Sequence, residues 1–202
     1  MLGFVLACGG DDSSVADAGE EPAITVEAGM DAIVAPDVGP DVSTKDVASE
    51  ADTGIPPLSC TGELDEPNAT EIFATQLGTI DDCDSSGSSV KGVSSGVGDV
   101  DWMVFHGTDT FGCSVDPTIQ INATGVRLCA FALCTAGTTT VQSCNGATSA
   151  TSPAGIHGCC TTTAKSVSVQ INCSSTNDSA AIFVRVDQTQ NQCVAYDVAY
   201  HF

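Results

Sequence analysis

Ten of the eleven cysteines in this chain fall between Cys60 and Cys193, and the eleventh, Cys8, closes a short apolar run at the N-terminus. Thiols in this number ligate metal, attack substrates or cross-link. Zinc sites favour closely spaced pairs such as Cys-x-x-Cys, and the sequence has none. An even set inside one region reads instead as a disulfide framework in an oxidising compartment. Cys60, Cys83, Cys113, Cys129, Cys134, Cys144, Cys159, Cys160, Cys173 and Cys193 are therefore all expected to be bridged. Proximity across a turn at Thr135-Ala136-Gly137-Thr138 favours Cys134 with Cys144. Neighbouring residues of an extended chain point to opposite faces, so Cys159 and Cys160 should take separate partners.

Other groups that could do chemistry are sparse. Gly92-Val93-Ser94-Ser95-Gly96 satisfies Gly-x-Ser-x-Gly, but a nucleophile elbow needs a strand before the serine and a helix after it. Here the motif reads as part of a Gly/Ser loop, and His106, His157 and His201 form no local catalytic pattern. Asp82-Cys83-Asp84-Ser85-Ser86-Gly87 opens like an EF-hand loop, yet its twelfth position is Val93 where a bidentate Glu belongs. No catalytic residue is assigned, and a secreted hydrolase is the least favoured reading.

The elements that must position these residues are strands. Val167, Val169 and Ile171 alternate with polar residues, as do Ile182, Val184 and Val186, and most clearly Val194, Tyr196, Val198, Tyr200 and Phe202. Such period-two runs mark half-buried strands. Segments 101–106, 118–123 and 126–133 complete the set, separated by turns rich in Gly, Ser, Thr and Asn. Residues 69–75 invite one or two helical turns, with Asn68 and Glu71 spaced as a capping box. The expected fold is all-β: a jelly-roll-like antiparallel sandwich over residues 58–202, stapled by disulfides.

Two resemblances add to this reading. Val5-Leu6-Ala7-Cys8 resembles the lipobox of bacterial lipoproteins, which implies lipidation at Cys8 and removal of residues 1–7. No Lys or Arg precedes Cys8, so Met1 is read as an internal start within a longer signal peptide. Separately, Glu66-Pro67-Asn68-Ala69-Thr70, Leu77-Gly78, Asp99-Val100-Asp101-Trp102 and Phe183-Val184-Arg185-Val186, with Tyr196-Asp197-Val198, resemble the bacterial pre-peptidase C-terminal domain. That family is a β-sandwich attached to exported proteins, and some members bind calcium. The resemblance implies a calcium site at Glu66, Asn68, Asp99 and Asp101. The ten cysteines and the missing peptidase depart from the family's pattern.

Residues 9–57 hold twelve acids against the single base Lys45 and have no aromatic residue. Such a segment cannot bury enough apolar surface to offset its chain entropy and is expected to be a disordered tether, spanning roughly 40 Å as a flexible coil. The whole chain carries a formal charge of −21, and the remaining fourteen acids face only Lys91, Arg127, Lys165 and Arg185. That balance cannot neutralise phosphates, so nucleic acid is excluded as a partner. The expectation is a monomeric lipoprotein, held at the bacterial outer membrane or cell surface by Cys8, whose sandwich binds a protein or glycan ligand without catalysis. A structural or protective coat protein is the alternative.

Overall fold

A strand whose residues alternate between polar and apolar offers one face to a core and the other to water. The computed structural model, which describes residues 58–84 and 86–202, is built of strands, some alternating in this way and others, at 100–108 and 126–134, buried on both faces; Cys8 and the acidic segment 9–57 lie outside the described residues. In chain order the strands are β1 (Thr75–Asp81), β2 (Ser88–Ser95), β3 (Val100–Thr108), β4 (Thr118–Ile121), β5 (Val126–Cys134) and β6 (Thr139–Ser143). There follow β7 (Thr148–Thr151), β8 (His157–Thr161), β9 (Ser166–Ser168), β10 (Gln170–Cys173), β11 (Ala180–Gln188) and β12 (Cys193–His201).

A six-stranded sheet has the order β1-β3-β11-β5-β8-β7, a four-stranded sheet the order β2-β12-β4-β9, and β6 pairs with β10 as a ribbon. Among the described residues only β7 and β8 are neighbours both in sequence and in a sheet, so the chain there crosses between sheets at nearly every connection. Met103 and Phe105 of β3, Leu128 and Ala130 of β5, and Ile182 and Val184 of β11 share one core with Ile119, Val167, Tyr196, Val198 and Tyr200 of the other sheet. Phe105 and Tyr200 join the layers directly, with ring centroids 4.8 Å apart. Gly107 sits where Phe202 packs: a Cβ there would lie 2.0 Å from the ring.

The expected all-β sandwich is thus present, with one departure from a purely antiparallel arrangement. Strand β1 runs parallel to β3, with Thr75 opposite Met103 and Asp81 opposite Thr108. Parallel pairing brings like ends together. The segments leading into β1 and β3 therefore meet at one end of the sheet, while those leaving them meet at the other, where Cys83 bridges Cys113.

Several local expectations are corrected. The expected helical turn is a single 3-10 turn, Glu71–Phe73, but the capping box is absent: the N-cap is Thr70, with no side-chain cap. Asn68 is drawn away to Asp101, and Glu71 accepts instead from the Ala154 amide at 3.1 Å. The run from Ser166 to Asn172 is split between two partners, β9 pairing with β4 and β10 with β6, although Val167, Val169 and Ile171 all stay buried. Gly92–Ser95 belongs to β2 rather than to a loop.

The favoured Cys134–Cys144 bridge is also overturned: Cys134 pairs with Cys173, and Cys144 with Cys159. Strand β6 does not form a hairpin ladder with β5 but pairs with β10, opposite whose Cys173 lies Thr139. That brings Cys173 to the end of β5 and leaves Cys144 against β8. Cys129 joins Cys160 across the β5–β8 ladder, and Cys60 joins Cys193. Cys159 and Cys160 therefore do have different partners. In the chain-entropy model the Cys60–Cys193 closure contributes about 5 kcal/mol and the Cys144–Cys159 closure about 3 kcal/mol. Five bridges in one domain place it in an oxidising, extracytoplasmic compartment. Among the described residues no helix is long and apolar enough to cross a membrane.

Candidate metal centre

The parallel β1–β3 pair decides what gathers at the N-terminal end of the sheet. Before β1 the chain runs on along the edge of β3, fixed by the bond from Trp102 N to Asn68 O at 3.0 Å. Before β3 it makes a tight turn through Gly96 and Gly98, both at positive φ, which glycine adopts without a Cβ clash. Asp99 closes that turn by accepting from the Ser95 amide. Asp101 then falls on the inward face of β3, two residues before Met103, and is fully buried.

Glu66, Asn68, Asp99 and Asp101 consequently converge although the sequence separates the two pairs by more than thirty residues. One carboxylate oxygen each from Glu66, Asp99 and Asp101 lies within 4.8 Å of the others. Asn68 is buried, donates from Nδ2 to Asp101 Oδ1 at 3.3 Å, and donates from its backbone amide to Glu66 Oε2 at 2.9 Å. Asn68 Oδ1, Asp101 Oδ2 and the Tyr196 hydroxyl are buried without a well-formed hydrogen bond, and the Tyr196 hydroxyl is within reach of the Asp101 carboxylate. Leaving such atoms unpaired costs about 1 to 3 kcal/mol each.

The electrostatics are equally one-sided. Burial pushes the Asp101 carboxyl from 3.8 up to about 7, and the charges on Asp99 and Glu66 add to the effect. The Asn68 amide and the nearby Tyr196 hydroxyl oppose it without cancelling it. Burial and the adjacent Asp101 hold Tyr196 well above the usual phenol range, so it stays neutral. The three ion pairs among the described residues involve Asp187 and Asp197, none of these acids.

Tyr196 was not singled out by sequence reasoning, which placed it on the inner face of its strand without saying what it would meet. It stands opposite Gly92 in the β2–β12 ladder, where a Cβ would lie 2.3 Å from its hydroxyl oxygen. The missing side chain at Gly92 is what lets the ring reach the cluster.

A hard divalent cation suits this arrangement. Calcium takes oxygen ligands at about 2.3 to 2.6 Å, so oxygens across one ion stand about 5 Å apart, matching the observed spread. Carboxylates and an amide carbonyl are its customary donors, and Asn68 Oδ1 and Asp101 Oδ2 would each gain a close contact. A second group, Asp82 with Cys83 and Cys113, offers no such site because its sulfurs are spent on a disulfide.

The other candidates stay apart. Ser94 of the Gly-x-Ser-x-Gly run is buried and bonded by Gln188 Nε2 at 3.0 Å, and a strand rather than a helix carries it. His106, His157 and His201 lie on β3, β8 and β12; Thr151 Oγ1 approaches His157 Nδ1 at 3.4 Å. Compared with family models, curated proteins and solved structures, the chain matches none.

Proposed function

We propose that this chain is a bacterial surface lipoprotein, anchored through Cys8 and an acidic tether, whose disulfide-stapled sandwich is a calcium-holding binding module akin to the pre-peptidase C-terminal domain. The observation that supports the calcium part is the convergence of three carboxylates beside two buried acceptors, Asn68 Oδ1 and Asp101 Oδ2, that lack a well-formed hydrogen bond. Glu66, Asn68, Asp99 and Asp101 would hold the ion, and its role would be to tie the segment before β1 to the turn before β3. That bond fixes the edge of the sheet and the cleft beside Asp99. No reaction step is assigned to it.

The reading is tested by melting the full chain carrying Cys8→Ser in calcium and in chelator. Binding to the native state alone should stabilise it by about 2.7 kcal/mol at a hundredfold excess over Kd. Identical melting curves would sink the calcium site. For the anchor, the native chain expressed with a complete signal sequence should partition into detergent, and Cys8→Ser should release it; unchanged membrane retention of Cys8→Ser would refute lipidation there.

A further inference from the structure

Gln188 ends β11, and its side chain, only 5% exposed, reaches across to the other sheet. Nε2 donates to Ser94 O at 3.1 Å, to Ser94 Oγ at 3.0 Å and to Gln192 O at 2.8 Å. Reversing the amide would set Oε1 against those same acceptors, so its orientation is fixed. One side chain thus ties the end of β2 to the far end of the β11–β12 loop, residues 189–192. All four residues of that loop are exposed, and the chain rejoins the ladder beyond it with Cys193 opposite Ser95.

The same stretch of β2 leads to the cation site. The Ser95 amide donates to Asp99 and the Ser95 hydroxyl to Glu63. Gly96, which follows, lies against the loop: a Cβ there would stand 2.5 Å from Asn191 Oδ1. Segment 94–99 is therefore joined to the loop at two points, through Gln188 and through Asn191. Asp99 sits on the turn and is partly exposed, whereas Asp101 is fixed in the interior on β3. Gly98 and Asp99 form one side of an open cleft of about 420 Å³, and Thr189 and Gln190 of the loop belong to its wall. The arginines of that cleft, Arg127 and Arg185, both close on Asp187, so with Asp99 its charges balance.

We propose that the cation site controls the order of the β11–β12 loop, with Gln188 as the link, so that an ion held by Asp99 and its neighbours sets the wall of the cleft. The driving difference is electrostatic. Carboxylates of Glu66, Asp99 and Asp101 that come within 4.8 Å of one another repel when no ion lies between them, and a divalent cation reverses that force. The ion therefore favours the arrangement in which the turn is drawn in. Asp99 then holds Ser95 by its amide, Ser94 holds the Gln188 amide, and Gln188 holds Gln192 O, while Asn191 packs on Gly96. Gln188 is a positioning residue that acts through Ser94 and Ser95. The proposal rests on the cation site put forward above, and reciprocity requires that an ordered loop raise the ion's affinity by the factor by which the ion orders the loop.

The test is backbone amide hydrogen exchange, read by NMR on the isotope-labelled full chain carrying Cys8→Ser, in calcium and in chelator, beside melting curves under the same conditions. Calcium should slow exchange at Asn191, Gln192 and Cys193 by about fivefold or more, together with residues 95–99, and leave the turn at 135–138 unchanged. Gln188→Leu removes the amide at similar volume; it should abolish the effect at 191–193 and weaken calcium by about the same factor, with protection at 95–99 restored at saturating calcium. Asn191→Ala, at an exposed position, should reduce the effect at 192 and 193 while melting in chelator as the parent does. Protection at 95–99 with none at 191–193 would overturn the coupling and leave the cation site standing. Coupling undiminished in either variant would overturn the link assigned to it. Melting and exchange that both ignore calcium would remove the cation site and the coupling together.

Discussion

Asp101 makes the metal-free protein less stable as the pH rises. Its carboxyl titrates near 3.8 when exposed and at about 7 in the folded chain, so the folded state holds its proton more tightly. A group whose folded pKa is raised contributes stability that is complete below pH 3.8 and is lost as the pH climbs through 7. The difference between the two values corresponds to about 4 kcal/mol at most. Asp81 acts in the opposite sense, because the Thr110 hydroxyl and the Cys83 amide hold its carboxyl below 3.8. Its window lies below that of Asp101. In chelator, urea unfolding of the oxidised protein should therefore show stability falling from pH 4.5 to pH 7.5. Asp101→Asn should flatten that fall and leave the variant more stable than the parent at pH 7.5. Calcium bound at the proposed site would displace the same proton, so its apparent affinity should drop about a hundredfold from pH 8 to pH 5. Metal-free stability that is level or rises across this window, with the same slope in Asp101→Asn, would refute the argument.

Other outcomes follow from particular contacts. Thiol labelling of denatured, non-reduced protein lacking Cys8 should find no free cysteine, and two or more labelled positions would break the five-bridge assignment. Peptide mapping should recover Cys134 with Cys173 and Cys144 with Cys159, whereas a Cys134–Cys144 fragment would contradict the β6–β10 pairing. Gly92→Ala forces a methyl against the Tyr196 hydroxyl and should cost about 1 to 3 kcal/mol while blunting the response to calcium; an unchanged melting curve would mean that the ring has room to move.

The strands that alternate cleanly were legible in the chain itself. Val194 to Phe202 and Ile182 to Val186 each have one apolar face, and local sterics plus burial suffice to make them strands. The paired state of the cysteines was legible too, because an even set without Cys-x-x-Cys spacing has few other uses. Strands such as Ser88–Ser95 and Thr148–Thr151 were not, since Ser, Gly and Thr carry little periodic signal and are held in the sheets by their neighbours. The resemblance named Glu66, Asn68, Asp99 and Asp101, but nothing local says that two segments more than thirty residues apart will touch.

What the sequence determined alone is therefore composition and local geometry: an acidic chain, strand periodicity and an even cysteine set. Only the tertiary structure decided which ends meet. Parallel pairing of β1 with β3 brings the four oxygen-bearing residues together at one end and Cys83 with Cys113 at the other. The β6–β10 ribbon redirects Cys134, and the β5–β11 ladder brings Arg127 and Arg185 onto Asp187. Register between distant strands depends on how whole faces bury against one another, so no short window of residues encodes it.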